Sequence, residues 1–183
     1  LAMSREFVQR EHIHIQAGDA PLKDPLVVNF DGSAAQLSQT RFEFDIDCDG
    51  KADQVSALTP GSGFLAVDKN RDNTINDGSE LFGPATGHGF SELAAHDEDG
   101  NHWIDEGDAI YEKLRIWTKT SSGESRLFAL GEKGIGAICL DHLASAFDIK
   151  DSRNQLLGQV RESGLFLGEN GSAGSIQELD LVV

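Results

Sequence analysis

Basic residues, cysteines and long apolar runs are all scarce in this chain, and each scarcity removes a class of function. Lys and Arg number 15 against 31 Asp and Glu, a formal net charge of −16 over 183 residues. A surface of that sign repels nucleic acid and anionic membranes at long range, so neither is an expected partner, and cations are. No apolar run approaches the roughly 20 residues that span a bilayer as a helix, so no membrane insertion is expected. The N-terminal "LAMSREFVQR" lacks the apolar core of a signal peptide. Opening on Leu1, the sequence reads as a segment of a longer polypeptide, whose other domains are one class of partner; a separate protein partner is not identified. The 2 cysteines, Cys48 and Cys139, are too few and too far apart for a disulfide framework, and neither lies in a Cys-x-x-Cys pair. They read as reduced, mostly buried thiols, with a single bridge left open.

Several constellations of chemistry are also missing. His88, His96, His102 and His142 form no spaced motif with a Ser or Cys nucleophile, and His12 and His14 lack a third metal ligand nearby. "GPATGHGF" (83–90) lacks the Lys-Ser/Thr ending of a phosphate loop. Trp103 and Trp117 belong to a chain of strongly negative charge, which favours packing roles over base stacking. Paired carboxylates for glycoside hydrolysis have abundant candidates, but each clustered acid has a better role as a metal ligand.

What the chain has is short elements joined by turns, as 20 Gly imply. "REFVQREHIHIQ" (5–16), "DPLVVNF" (24–30), "RFEFDI" (41–46) and "GFLAV" (63–67) read as strands, with Pro25 at a strand start, where a missing N–H costs least. Helical spacing is expected over 89–96, over 105–117 and over 124–134, the last closed by Gly131 or Gly134. From there to Val183 the pattern returns to strands: "IGAICL", "ASAFDI", "LLGQVRE", "GLFLG" and "IQELDLVV". The expected fold is α+β, one domain over 1–183 with short strands flanking a helical middle that carries EF-hand-like calcium loops. The motif region is 24–117, and 1–23 and 118–183 flank it mainly as strands.

The acids concentrate in three loops of one spacing. Counting from the first Asp of each, oxygen ligands fall at positions 1, 3, 5 and 9, a backbone carbonyl is offered at 7, and a closing ligand is sought near 12. The first loop supplies Asp45, Asp47, Asp49, the Lys51 carbonyl and Asp53, but ends on Ser56 instead of an acid. The second supplies Asp68, Asn70, Asp72, the Thr74 carbonyl and Asn76, with Glu80 at the thirteenth position and Asn73 in place of the turn glycine at the sixth. The third supplies Asp97, Asp99, Asn101, the Trp103 carbonyl, Asp105 and Asp108, with His102 sixth. Ca²⁺ is the expected cofactor, because it takes six to eight hard oxygens at about 2.3 to 2.6 Å. Mg²⁺ keeps its waters, and zinc prefers His and Cys.

In order along the chain, "DPLVVNFDG", "FDIDCDGKAD", "GFLAVDKNRDNTINDGSELFG", "GFSELAAHDEDGNHWID" and "YEKLRIW" resemble the Ca²⁺-dependent self-processing module of RTX-type secreted bacterial proteins. The wider set of bacterial calcium-binding proteins built on the same motif series is similar too. The resemblance implies Ca²⁺-driven folding and, in processing members, cleavage of the Asp24-Pro25 bond. There the Asp24 carboxylate attacks its own carbonyl carbon to form a cyclic anhydride and the Pro25 nitrogen leaves; a lysine amine can then capture the activated Asp. Without the resemblance, Asp24-Pro25 is a rigid lead-in to a strand. The first functional expectation is thus a non-catalytic calcium-binding module of a larger secreted or cell-surface bacterial protein, rigidified by extracellular calcium. The alternative is an autocatalytic enzyme with Asp24 and Pro25 as its catalytic pair, and a third is a cytosolic calcium sensor.

Overall fold

A computed structural model describes residues 22–32, 34–120 and 123–183. Its strands are β1 (Leu22–Lys23), β2 (Leu26–Asn29), β3 (Leu37–Phe44), β4 (Asp53–Leu58), β5 (Ser62–Val67), β6 (Trp103–Ile104), β7 (Leu114–Lys119), β8 (Ser125–Ala129), β9 (Ile135–Lys150), β10 (Leu156–Gly168) and β11 (Ala173–Val182). The α-helix among these residues, α1, is the short Gly89–Ala94.

Nine strands form one antiparallel sheet in the order β6-β9-β10-β11-β2-β5-β7-β8, with β1 also on β11; β3 and β4 make a separate hairpin. Alternating side chains along the central strands feed two cores, one on each face of the sheet. Val27, Phe64, Trp117, Leu179 and Leu181 pack toward the hairpin residues Phe44, Val55 and Leu58. Leu26, Val28, Leu65, Ile116 and Ile176 pack toward α1 through Phe90 and Leu93. Strand β2 is buried along its whole length because both faces are covered, which is why "LVVN" reads as a continuous apolar run.

The helical middle is not there, and the fold is mostly β rather than α+β. Of the three helices expected, the first survives as α1. Over 105–117, Asp105 and Asp108 are engaged in an acidic loop, Tyr111–Lys113 makes one 3₁₀ turn, and Leu114–Lys119 pairs with β5. A segment of that length has little helical stability of its own, and pairing buries Ile116 and Trp117 to 0% and 1% exposure. Over 124–134, Ser125–Ala129 pairs with β7, and only Gly131–Lys133 turns as 3₁₀ before Gly134 at φ 67°. Late in the chain "IGAICL" and "ASAFDI" fuse into the single strand β9, and "LLGQVRE" with "GLFLG" into β10, because each supplies the other's ladder across Gly164. The strand expected over 5–16, with His12 and His14, lies outside the described residues. Both cysteines are free; Cys139 is buried as expected, but Cys48 is exposed in the first acidic loop.

Candidate functional site

The three acidic loops share one conformation. In each, the carboxylate at position 1 accepts from the backbone N–H groups at positions 5 and 6: Asp45 from Asp49 and Gly50, Asp68 from Asp72 and Asn73, Asp97 from Asn101 and His102. In each, the side chain at position 5 accepts from the N–H at position 7, which is Lys51, Thr74 or Trp103. Positions 4 and 6 take positive φ in all three: Cys48 (60°) and Gly50 (85°), Arg71 (62°) and Asn73 (62°), Gly100 (72°) and His102 (67°). Asn tolerates this left-handed backbone better than most residues. The missing sixth-position glycines in loops two and three therefore do not alter the turn.

The closing residues separate the loops. Glu80, 5% exposed, accepts from the N–H groups of Lys69 and Asn76; Asp108, 2% exposed, accepts from those of Glu98 and Asp105. Thirteenth in one loop and twelfth in the other, these two acids tie together the same two positions, the second and the ninth. Ile75 and Ile104 at position 8 are buried and anchor these loops in the cores. The first loop has no such closure: Ser56 is buried in β4, and Asp53 begins that strand. Asp77 approaches instead from the second loop, bridged to Asp45, with the Gly78 N–H donating to the Asp45 carbonyl at 2.8 Å.

The donor sets fit a hard cation. Carboxylate oxygens of Asp45, Asp47 and Asp49, and of Asp97, Asp99 and Asp108, lie within 4.8 Å of one another. Oxygens sharing one Ca²⁺ at about 2.3 to 2.6 Å can be no more than about 5 Å apart. In the second loop Asp68, Asn70, Asp72 and Asn76 converge through hydrogen bonds among themselves, Asn70 Nδ2 reaching both Asp72 (3.0 Å) and Asn76 (2.9 Å). A metal would have to turn those amide oxygens inward.

A second, buried cluster surrounds Asp24-Pro25. The β1–β11 and β2–β11 registers place Lys23 opposite Leu181 and Leu26 opposite Glu178, so Asp24 faces Asp180 and Pro25 faces Leu179. The Leu179 N–H donates to the Pro25 carbonyl at 3.1 Å. Asp24 and Asp180 consequently form a non-hydrogen-bonded cross-strand pair, the kind whose side chains stand closest. Like charges directly opposite are destabilising. Arg161 answers them: its Nη1 donates to Asp24 Oδ2 at 2.8 Å, and it lies 3.7 Å from Glu178 Oε1 and 3.6 Å from Asp180 Oδ1. Arg161 sits where the β10 register shifts between Val160 and Glu162, on both of its neighbours, and a bulge there re-aims one side chain.

The cluster is electrostatically unusual. Burial, then the hydrogen bond and charge of Asp24, push the Asp180 carboxyl up to about 7. Burial also raises Glu178, opposed by the Gly89 N–H that donates to its Oε2 at 3.0 Å. Burial works against the Arg161 charge, but Asp180, Asp24 and Glu178 outweigh it and raise Arg161. Over the site lies "GPATG". Gly83, at φ +112°, is so close to the Asp24 carbonyl that an added Cβ would stand 1.9 Å from its oxygen, and a Cβ on Gly87 would come to 3.1 Å from Asp24 Oδ2. Only glycine permits that first approach.

Each predicted site residue is thus placed. The structure gathers the position-1, -3 and -5 side chains in all three loops, leaves Asp53 and Ser56 in strand β4, and seats Asp24-Pro25 in the sheet, outside the loops themselves. Arg161, Glu178 and Asp180 escaped sequence reasoning. Their signal was charge at core-facing positions of apolar strands: Glu178 and Asp180 share parity with the fully buried Ile176 in "IQELDL".

A mostly antiparallel β fold with acidic loops and a buried Asp-Pro bond defines the class to which comparison can be made. The chain belongs to the SPM domain family, which matches residues 26–182. A relative is the iron-regulated protein FrpA of Neisseria meningitidis serogroup C, 28% identical over 141 residues. That alignment covers 68% of this chain and 13% of FrpA, so the chain spans only a small part of that protein's length.

Proposed function

We propose that this chain is a self-processing module that cleaves its own Asp24-Pro25 bond once calcium has organised its loops. Of the sequence-based expectations, this promotes the autocatalytic alternative above a purely structural calcium module. One observation carries it: the Asp24-Pro25 peptide is buried against Arg161, Glu178 and Asp180. A rigid lead-in to a strand needs none of them. Buried like charges are costly, so their concentration on one peptide bond points to chemistry.

The residues have distinct tasks. Arg161 positions the Asp24 carboxylate through Oδ2 and compensates its charge. The carboxylate is already linked to its target carbonyl carbon through Cα and Cβ, so attack closes a five-membered anhydride with the advantage of an intramolecular reaction. Gly83 packs against that carbonyl and Gly87 beside the Asp24 carboxylate. Water, or a lysine amine, then opens the anhydride.

The loops are wired to this bond. Glu80 closes the second loop, and two residues later the Phe82 carbonyl accepts from the Leu26 N–H at 2.9 Å, just before Gly83 covers Asp24. The third loop begins three residues after α1, whose Gly89 holds Glu178. Loops two and three therefore bracket the segment that roofs the cleavage site. Bound Ca²⁺ would supply charge neutralisation to the side-chain oxygens of Asp68, Asp72, Asp97, Asp99 and their neighbours, fixing both ends of that roof. Such a module fits a secreted or surface protein meeting extracellular calcium, where weak sites suffice.

The test is to incubate metal-stripped protein with and without calcium and weigh the products. Fragments beginning at Pro25, formed only with calcium and absent in Asp24→Ala, are expected. An intact chain at saturating calcium, with the loops demonstrably loaded, would remove the reading.

A further inference from the structure

Cleavage as described leaves one proton without a donor. The C–N electron pair must end on the Pro25 nitrogen, and an amide nitrogen departs readily only if protonated as it leaves. Resting on the self-processing reading, we propose that Asp180 is the general acid: its carboxyl holds a proton against Asp24 and delivers it to the departing Pro25 nitrogen.

Geometry argues for it. Asp180 stands directly across the strand from Asp24 in the closely spaced type of pair, and its neighbour Leu179 is hydrogen-bonded to Pro25 itself. Asp24 Oδ1 and Asp180 Oδ1 are both buried, and neither meets an N–H or O–H donor. Asp24 is also among the groups that push the Asp180 carboxyl up. A proton shared between these two carboxyls would satisfy both orphaned oxygens at once. The proton belongs on Asp180, because Asp24 Oδ2 has the closer claim on Arg161, 2.8 Å against 3.6 Å. Glu178 is the other buried acid, but its Oε2 is held as an acceptor by Gly89 and it stands opposite Leu26, beyond the scissile bond. The remaining charges facing the pair are Arg161 and, behind Glu178, Glu162 with its partner His142 at 3.2 Å.

The step balances. The Asp24 side-chain oxygen bonds to the Asp24 carbonyl carbon, the bond from that carbon to the Pro25 nitrogen breaks, and the nitrogen takes the Asp180 proton. Asp180 is left ionised beside Arg161 Nε, nothing is oxidised or reduced, and water later opens the anhydride.

The experiment follows cleavage of the full chain in saturating calcium from pH 5 to 9, for wild type, Asp180→Asn and Asp180→Glu, with folding checked by melting. The wild-type rate is expected to fall about tenfold per pH unit above about 7. Asp180→Asn should be slower by about 10²- to 10⁴-fold, the usual worth of a general acid, and should lose that alkaline limb; Asp180→Glu should recover part of the rate with the limb displaced. A folded Asp180→Asn that cleaves at the wild-type rate with an unchanged profile overturns the proposal while leaving self-processing intact. A wild type that never cleaves overturns both. Should Asp180→Asn fail to fold, carbon NMR titration of the Asp180 carboxyl in uncleaved Asp24→Asn protein decides: the shared-proton partner is then lost, so a value still above the ordinary carboxylate range supports the buried acid, and an ordinary one overturns it.

Discussion

The molecule crowds acids in two places and manages them in opposite ways. In the loops, the carboxylates at positions 1, 3 and 5 are not buried, each position-1 Asp is held by two or three backbone N–H groups, and the remaining charge is left for a cation from solution. Around Asp24-Pro25, three carboxyls are buried with one arginine, and burial with the neighbouring Asp24 pushes the Asp180 carboxyl up to about 7. On the proposed reading, the loops answer to calcium concentration and the buried site to pH. The comparison teaches that clustered acids are not one signal: backbone N–H groups satisfy even the buried Glu80 and Asp108 of the loops, whereas the buried acids at Asp24-Pro25 have one arginine among them.

The sharpest way to break the comparison is at Asp24. Asp24→Ala should abolish cleavage entirely, seen as an intact mass after prolonged incubation, while calorimetric calcium binding stays unchanged because Asp24 touches no loop. Removing the metal comes next. With free calcium at about 100 times each dissociation constant, the two closed loops together should stabilise the fold by about 5 kcal/mol, read as a chelator-dependent drop in denaturation midpoint. Asp68→Ala or Asp97→Ala should each remove about half of this. Asp45→Ala should remove less, since the first loop lacks a closing acid.

Arg161→Met tests the other half of the comparison. Breaking a fully buried pair costs about 3 to 5 kcal/mol; with 38% of its side chain exposed, Arg161 should be worth about 2 to 3, measured by urea denaturation at pH 8. The loss should shrink at pH 5, where the buried acids can neutralise themselves, whereas loop variants should show no such relief in saturating calcium. Asp180→Asn should change stability with the opposite sign. The Asp180 carboxyl moves from 3.8 to about 7 on folding, so between those values the folded chain holds the extra proton and stability falls as pH rises, levelling above 7. The variant escapes that penalty and should gain stability at pH 8 and none at pH 4, as a comparison of melting curves would show.

Much of the loop geometry was legible because its spacing is local: side chains two residues apart on one tight turn are neighbours whatever the rest of the chain does. The strands in "LVVN" and "GFLAV" were legible for the same reason, through side-chain pattern. The helices over 105–117 and 124–134 were misread because "LRIW" and "SRLFA" acquire their strand character only from partners, β5 and β7, and because Asp105 and Asp108 were already committed to a loop.

By itself, the sequence determined three acidic turns, an Asp-Pro bond at the head of a buried strand, and a surface that turns away polyanions. Tertiary structure alone decided what faces that bond. Asp24 and Asp180 are 156 positions apart in the chain and meet only because β11 returns antiparallel along β1 and β2, while a bulge in β10 turns Arg161 between them. Strand register is a property of the whole sheet, and no local pattern carries it.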